Sequence, residues 1–298
     1  MILVIMGVIL GRKFPLDLFT LSKLNFYLYL PVFIFYQVYT AEINSSYLQV
    51  CIYVLALMFI AFVICRLIEK IGRFPRGIGN AFLNSVLFYN TGNFGLPLIT
   101  LIFLGTPWMN QAVTTHIMIL LVQNTMMTTF GFFNADSGKM HWRESVGRVL
   151  KMPQIYATIL ALVLQLMPFR LEPLFFWPAV DYLRMGMIPL ALVLLGIQLG
   201  RTKFRLGDHR IYLAVAVRLT LIPAVAYFLI KFFGFTGVTA QAALIASGCP
   251  TAVTTVLIAL ESDNEPDFAS QMVLTTTLFS ILSLVVLISL AEKLFPIL

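Results

Sequence analysis

Long apolar runs, separated by short polar stretches, recur along the whole chain. A helix that crosses a bilayer needs about 20 mostly apolar residues. The pattern therefore predicts ten transmembrane helices joined by short loops, with no separate soluble domain. Their predicted bounds are 1–11, 18–40, 47–68, 80–105, 108–133, 153–168, 174–200, 211–232, 237–260 and 267–291. The expected fold is an all-α polytopic membrane protein.

The composition agrees with this class. Of the 298 residues, 60% are hydrophobic and only 11% are charged, whereas soluble domains carry about 25% charged residues. The apolar surplus is spread over the whole length, so a single buried core does not explain it.

Lysine and arginine alternate between connections. The connections after the first, third, fifth and seventh predicted helices carry basic clusters, while the alternate connections together hold only Arg170 and Lys231. The positive-inside rule then places the basic loops in the cytoplasm and both termini outside. This clustering also accounts for the net charge of +7 and argues against nucleic acid as a partner.

The first apolar run, Met1 to Gly11, is short and is followed at once by Arg12 and Lys13. A secretory signal has its basic residues first, so we interpret this run as part of a mature helix. Eleven helical residues reach only about 16 Å, roughly half of the hydrocarbon thickness. Either the first helix is short, or the natural chain begins upstream of Met1, which we prefer.

Two predicted helices contain residues that interrupt helices. The fourth contains Asn90-Thr-Gly-Asn-Phe-Gly-Leu-Pro97, and the ninth contains Ala246-Ser-Gly-Cys-Pro-Thr251. Glycine and proline at this density do not hold a regular helix. Unwound backbone at membrane depth is tolerated only where it is buried in protein or lines a cavity. Matched breaks in two halves are typical of a transporter's substrate site, although glycine and proline also simply kink membrane helices.

The breaks occupy corresponding positions, the fourth helix of each group of five. Because five is odd, the second group enters the membrane from the opposite side. We therefore expect two inverted five-helix repeats within one membrane domain, residues 1–140 and 141–298. The symmetry lies in hydropathy and break position, without a strong repeat in the residues themselves.

The breaks also indicate the charge of a ligand. Pro97 and Pro250 each suit the first turn of a new half-helix. Two half-helices that start near the midplane from opposing sides present free N–H groups and positive dipole ends, which favour an anion such as a carboxylate. The candidate substrate-binding residues are Asn90, Thr91, Gly92, Asn93, Gly95, Pro97, Ser247, Gly248, Pro250 and Thr251.

Charged residues inside predicted helices are candidates for coupling or gating. Asp181 and Arg184 lie three apart on the seventh helix, and Arg218 lies on the eighth. The alternative is an internal ion pair and an arginine that snorkels to the surface. Neither broken helix contains an acidic residue, which argues against cation antiport.

The sequence contains few features that would indicate an enzyme. It contains no Gly-rich phosphate loop followed by Lys and Ser/Thr, and no nucleophile–histidine set is concentrated at one membrane face. The three cysteines show neither metal spacing nor a disulfide pattern. We expect no enzymatic activity, no cofactor and no metal.

The stretch 90–97 resembles the signature of the auxin efflux carrier family, in its bacterial branch. The regions 7–31, 188–196, 218–223 and 265–266 resemble other parts of that family, so the likeness covers nearly the whole chain. The resemblance implies ten helices in inverted repeats, with the fourth and ninth crossing near the bilayer midplane. It also implies uniport or proton-linked movement of organic acids, which are auxin in plants and dicarboxylates such as malate or malonate in bacteria.

The family's carboxylate-binding asparagine on the fourth helix corresponds to the region of Asn90 and Asn93. The chain departs from the family in its shorter first helix and in Cys249, which precedes Pro250 with no asparagine beside it. We therefore predict an alternating-access secondary transporter of small organic anions, with the substrate at the crossover. The alternatives are an ion- or proton-coupled symporter, a channel-like protein or a membrane sensor on the same fold. The expected partners are the anion and the lipid bilayer, and a homodimer is left open.

Overall fold

A computed structural model describes residues 2–41, 46–136, 147, 150–167, 170–201 and 207–297. Over these ranges the chain is helical, without a named strand. We number twelve helices in them: α1 Ile2–Lys13, α2 18–40, α3 Ser46–Gly72, α4 Arg76–Leu87, α5 Thr91–Ile102, α6 Met109–Ala135, α7 Pro153–Gln165, α8 Trp177–Arg201, α9 His209–Phe232, α10 Gly237–Ser247, α11 Thr254–Glu261 and α12 Pro266–Leu294. The prediction of an all-α membrane protein is confirmed at this level.

The predicted bounds agree with these helices to within a few residues. The fourth predicted helix is α4 followed by α5, and the ninth is α10 followed by α11, so both predicted breaks are present. Within the described residues, five helices are long and apolar enough to cross a membrane, namely α3, α6, α8, α9 and α12. Shorter apolar helices are α5, α7 and α10. The arrangement as ten crossings in an inverted repeat stays a prediction.

Four of the twelve helices in the described ranges contain a π-helical turn, which is rare and often marks a functional position. The turns are Asn25–Tyr29 in α2, Thr91–Gly95 in α5, Met127–Gly131 in α6 and Val217–Leu221 in α9. Each inserts one residue into the helical repeat and so changes which side chains share a face. Three of them contain polar residues of the candidate site described below.

The chain forms two compact units, each assembled from separate stretches of sequence. Unit 1 contains Met1–Asn44, Gly92–Ile117 and Lys151–Thr202, and unit 2 contains Ser45–Thr91, Met118–Leu150 and Lys203–Leu298. This grouping by contact is a different division from the two sequence halves, 1–140 and 141–298, which remain a prediction about repeat symmetry.

In unit 1, α1 packs against α8 through glycines spaced four apart on each helix. A Cβ atom added to Gly7 would meet the carbonyl oxygen of Val193, and one added to Gly196 would meet that of Val4. Gly11 and Gly200 lie one turn further along the same two helices. Small residues at this spacing let membrane helices approach until their backbones touch. The first predicted helix, although short, is therefore firmly packed.

In unit 2, α4 carries a buried polar face. Asn84 donates from Nδ2 to the carbonyl of Gly131 in α6, at 2.9 Å. Asn134, also on α6, donates from Nδ2 to the Asn84 side chain at 2.9 Å and to the carbonyl of Asn80 at 3.0 Å. Such bonds join membrane helices, because amides in an apolar surrounding need partners. They fix α4, which leads directly into the first break.

Candidate functional site at two helix breaks

Two non-helical links interrupt the fourth and ninth predicted helices. The first covers 88–90, between α4 and α5, and the second covers 248–253, between α10 and α11. In unit 2 the links pair with each other through an isolated antiparallel bridge between Tyr89 and Thr251. Two backbone hydrogen bonds form it: Asn90 N–H to the Pro250 carbonyl at 2.8 Å, and Ala252 N–H to the Phe88 carbonyl at 2.9 Å. The breaks thus satisfy part of each other's backbone, as buried polar groups require.

The hydroxyls of the second link are used inside the protein. Thr251 is fully buried, and its Oγ1 donates to the carbonyl of Ser85 on α4 at 2.7 Å. Its backbone N–H donates to Oγ1 of Thr276 on α12 at 3.0 Å. The Ser247 hydroxyl donates to the carbonyl of Leu244, at 2.6 Å. Thr251 and Ser247, both predicted to bind substrate, therefore have demonstrable roles in holding the break.

Gly248 and Pro250 shape the same link. A Cβ atom on Gly248 would meet the side chain of Leu287 on α12, so this residue lets the two segments approach closely. The prediction that Pro250 lies in the first turn of a new half-helix is wrong, because α11 begins only at Thr254, with Val253 as its N-cap. The reason is that the Pro250 carbonyl is engaged in the bridge to Asn90, so the backbone stays extended there.

Pro97 meets the corresponding expectation in part. It lies at the start of the α-helical portion of α5, Leu96–Ile102. The residues before it, Thr91–Gly95, are not unwound but form a π-helical turn. Most of the motif at 90–97 is consequently helical, and the true break is displaced toward 88–90.

Arg218 occupies the centre of this part of unit 2. It is fully buried on the π turn of α9. Its Nε donates to the Cys249 carbonyl at 3.1 Å, and its Nη2 donates to the Ser247 carbonyl at 2.5 Å. The guanidinium carbon lies 4.4 Å from the centre of the Tyr89 ring, as in a cation–π contact. Arg218 therefore does not snorkel to the surface, which was one alternative from its sequence position.

The charge of Arg218 has no carboxylate partner among the residues that the structure describes. Its Nη1 also lacks a hydrogen-bond partner there. The carbonyls of the second break supply partial negative charge but no full counter-charge. Burying a cation in this way is costly, and it leaves a guanidinium donor directed into the protein interior beside both links.

The candidate residues of unit 1 include one that the sequence interpretation missed. Asn25 is buried on the π turn of α2 and donates from Nδ2 to Oδ1 of Asn93, at 2.8 Å. Its own Oδ1 has no hydrogen-bond partner in the described part of the chain. An amide inside the apolar run of the second predicted helix was the signal that could have identified it. The pair joins two π turns, Asn25–Tyr29 and Thr91–Gly95.

Asp181 and Arg184 form the predicted pair on α8. The distance from Arg184 Nε to Asp181 Oδ1 is 2.6 Å, and the side chains are 27% and 33% exposed respectively. The Arg184 guanidinium also lies 4.1 Å from the centre of the Tyr36 ring on α2. Both contacts fall within unit 1, and together they couple α8 to α2.

The ten residues predicted to bind substrate thus fall into two groups. Within unit 2 the structure brings together Asn90, Thr91, Ser247, Gly248, Pro250 and Thr251, and adds Arg218. Within unit 1 it places Gly92, Asn93, Gly95 and Pro97, and adds Asn25.

Comparison with known proteins gives two findings. A family model described as membrane transport protein matches residues 18–288, which confirms the predicted resemblance to the auxin efflux carrier family. The chain is also similar to an uncharacterized transporter of Methanocaldococcus jannaschii, at 24% identity over 207 residues. That match covers 69% of this chain and 66% of the relative, so it spans slightly less than two thirds of the relative's length.

Proposed function

The chain belongs to the membrane transport protein family, and on that premise we propose that it is a secondary transporter of small organic anions. The proposed substrates are carboxylates such as malate, malonate or auxin-like acids. The proposed location is the bacterial plasma membrane, with both termini outside, and the alternation of basic loops supports this orientation. Alternating access is the proposed mechanism, with ten crossings as two inverted repeats.

The observation that carries the proposal is the environment of Arg218. A fully buried guanidinium at the paired breaks, with no carboxylate partner in the described residues, is an incomplete ion pair. A substrate carboxylate would supply the missing charge and accept from Nη1. Arginine is suited to this task because its planar fork matches the two oxygens of a carboxylate.

The backbone of the breaks supports the same ligand. The bridge between Tyr89 and Thr251 fixes the two unwound segments relative to each other, which would preorganise a binding site there. In unit 1, the amides of Asn25 and Asn93 offer polar groups that can hydrogen-bond a carboxylate. Their hydrogen bond at 2.8 Å fixes one amide relative to the other, and we propose this pair as a carboxylate-binding position within unit 1.

Ion-pair geometry favours a supporting role for Asp181. Its carboxylate contacts Arg184 one helical turn away, and Arg184 in turn stacks over Tyr36. A carboxylate committed to such a pair is better explained as a link between α8 and α2 than as a proton carrier.

Transport in proteoliposomes tests the proposed function. The purified protein is reconstituted, and uptake of radiolabelled malonate or malate is measured with and without the same anion inside. A carrier gives saturable uptake that is accelerated by internal substrate, because the carrier then returns loaded and the slow return of the empty carrier no longer limits the rate. Uptake that stays linear with concentration and ignores internal substrate would instead establish a channel.

A further inference from the structure

Unit 2 contains a polar pocket away from the breaks. Its volume is about 490 Å³, and it lies where α3 ends, α4 begins and α6 ends. Its polar lining consists of Arg66, Glu69, Arg76, Asn80 and Asn134. Two guanidinium groups and one carboxylate give this lining a net charge of +1. The neighbouring connection between α3 and α4 is one of the basic loops predicted to be cytoplasmic.

Arg66 is held in place within this pocket. Its Nη1 donates to Glu69 Oε2 at 2.6 Å and to Asn80 Oδ1 at 3.3 Å, and its Nη2 donates to Asn134 Oδ1 at 2.7 Å. Both asparagines are buried, so they form a fixed base beneath the guanidinium. The Arg66 side chain nevertheless keeps 35% of its surface exposed. Arg76 lies on the exposed rim. The site thus holds one fixed guanidinium, that of Arg66, which an anion can reach through its exposed part.

An apolar groove of about 300 Å³ adjoins the pocket, and the two share Phe62 and Phe130. Those rings meet edge to face with centroids 5.8 Å apart. The remaining lining is entirely apolar: Leu55, Met58, Phe59, Leu87 and Met126. Along α3, Arg66, Phe62, Phe59 and Leu55 follow one another at helical spacings of three or four, so they share one face. From Leu55 to Arg66 this face extends about 16 Å along the helix.

We propose that this pocket and groove bind one anionic phospholipid, with its phosphate against Arg66 and Arg76 and an acyl chain along α3. Because the polar pocket and the apolar groove share Phe62 and Phe130, their arrangement favours an amphiphile, whose acyl chain fills a groove that a small soluble anion would leave empty. The net positive lining identifies a negative headgroup, because charge complementarity favours it over a zwitterion. Basic pockets between membrane helices on the cytoplasmic side recognise lipid headgroups by this chemistry.

Native mass spectrometry of the detergent-purified full chain tests the headgroup part of the proposal. The probes are phosphatidylglycerol and phosphatidylcholine with identical acyl chains. Phosphatidylglycerol is expected to bind more tightly than phosphatidylcholine. Arg76→Gln or Arg66→Gln should each weaken phosphatidylglycerol binding about fivefold. The matched control is Lys70→Gln, an exposed cation on α3 outside the pocket lining, which should leave binding unchanged. Equal weakening by Lys70→Gln would overturn the proposal, since it would show general attraction to a basic surface.

A second arm tests the groove. Leu55 is 44% exposed and lines the groove, whereas Ile52, on the same helix, is 49% exposed and does not. Leu55→Trp changes no charge but should weaken the binding of phosphatidylglycerol severalfold. Ile52→Trp should leave that binding unchanged. Equal effects of the two, or competition by soluble glycerol 3-phosphate as effective as that by the lipid, would overturn a lipid site. Because Arg76 and Leu55 are exposed, their variants report on binding even if Arg66→Gln fails to fold.

Discussion

The backbone N–H of Asn90 donates to the carbonyl oxygen of Pro250 across 2.8 Å, which joins the two helix breaks within unit 2. The residues are 160 positions apart in sequence, so this is a tertiary contact between unwound segments. It explains why the second break remains extended past its proline. It also keeps the guanidinium of Arg218, which is bonded to the same break, in a defined position.

We predict that Thr251→Val destabilises the protein. Valine has a similar shape but removes the hydroxyl that donates to the Ser85 carbonyl, so a buried acceptor loses its partner. The expected cost is about 1–3 kcal/mol, visible as a lower melting temperature in detergent. The control is Thr220→Val, since the Thr220 hydroxyl bonds the carbonyl four residues earlier at an exposed position. Equal melting temperatures for the two variants would contradict a structural role for the Thr251 hydroxyl.

The pair formed by Asn25 and Asn93 predicts coupled effects on transport. Asn93→Ala should abolish carboxylate uptake without loss of folding, and Asn25→Ala should reduce it strongly. The double variant should be little worse than Asn93→Ala, because residues that share one hydrogen bond act non-additively. Asn110→Ala, an exposed asparagine on α6, is the control. Normal uptake by Asn93→Ala would contradict a role for this pair in binding carboxylate.

The contact between α1 and α8 predicts a steric effect at Gly196. Alanine there places its Cβ against the Val4 carbonyl, so the two helices must separate. We expect Gly196→Ala to lower the melting temperature by several degrees, whereas Gly207→Ala, with no atom within 4 Å of the added Cβ, should not. Thermal unfolding of both variants measures the difference. If the melting temperature of Gly196→Ala equals that of the wild type, the backbones of α1 and α8 do not approach as closely as described.

The Asp181–Arg184 pair predicts an unchanged pH response. Because Asp181 is committed to Arg184 at 2.6 Å, Asp181→Asn should keep the pH dependence of uptake, although it weakens the link to α2. Uptake measured at several external pH values compares the two proteins. Loss of the pH dependence in Asp181→Asn would contradict this prediction and support proton coupling through the Asp181 carboxylate.

Local sequence patterns were sufficient to predict the helices and both breaks. Apolar runs define where helices lie, so 18–40 was predicted at the bounds observed. Clustered glycine and proline indicated which two helices are interrupted, although the first break lies at 88–90, just before its glycines. The place of Pro250 could not be predicted, since it depends on a hydrogen bond to distant Asn90. The buried position of Arg218 could not be predicted either, because its acceptors are the carbonyls of Ser247 and Cys249, about thirty residues away in sequence.

The contact of α1 with α8 could be predicted from the sequence only in part. Glycines four apart are visible in the sequence at Gly7 and Gly11, and at Gly196 and Gly200. Spacing alone, however, does not say which two helices meet. The partner of each glycine pair follows only from the assembled unit, where backbone atoms of the opposite helix touch them.

The central claim is that Arg218 provides the positive charge that a substrate carboxylate neutralises, and Arg218→Gln tests it most directly. Removing the buried charge relieves a desolvation cost, while glutamine can still donate to one of the two carbonyls. The measurement is binding of radiolabelled malonate to the purified variant, together with its melting temperature. We predict at least tenfold weaker binding with melting close to that of the wild type, and partial recovery in Arg218→Lys. Wild-type affinity in Arg218→Gln would contradict the account.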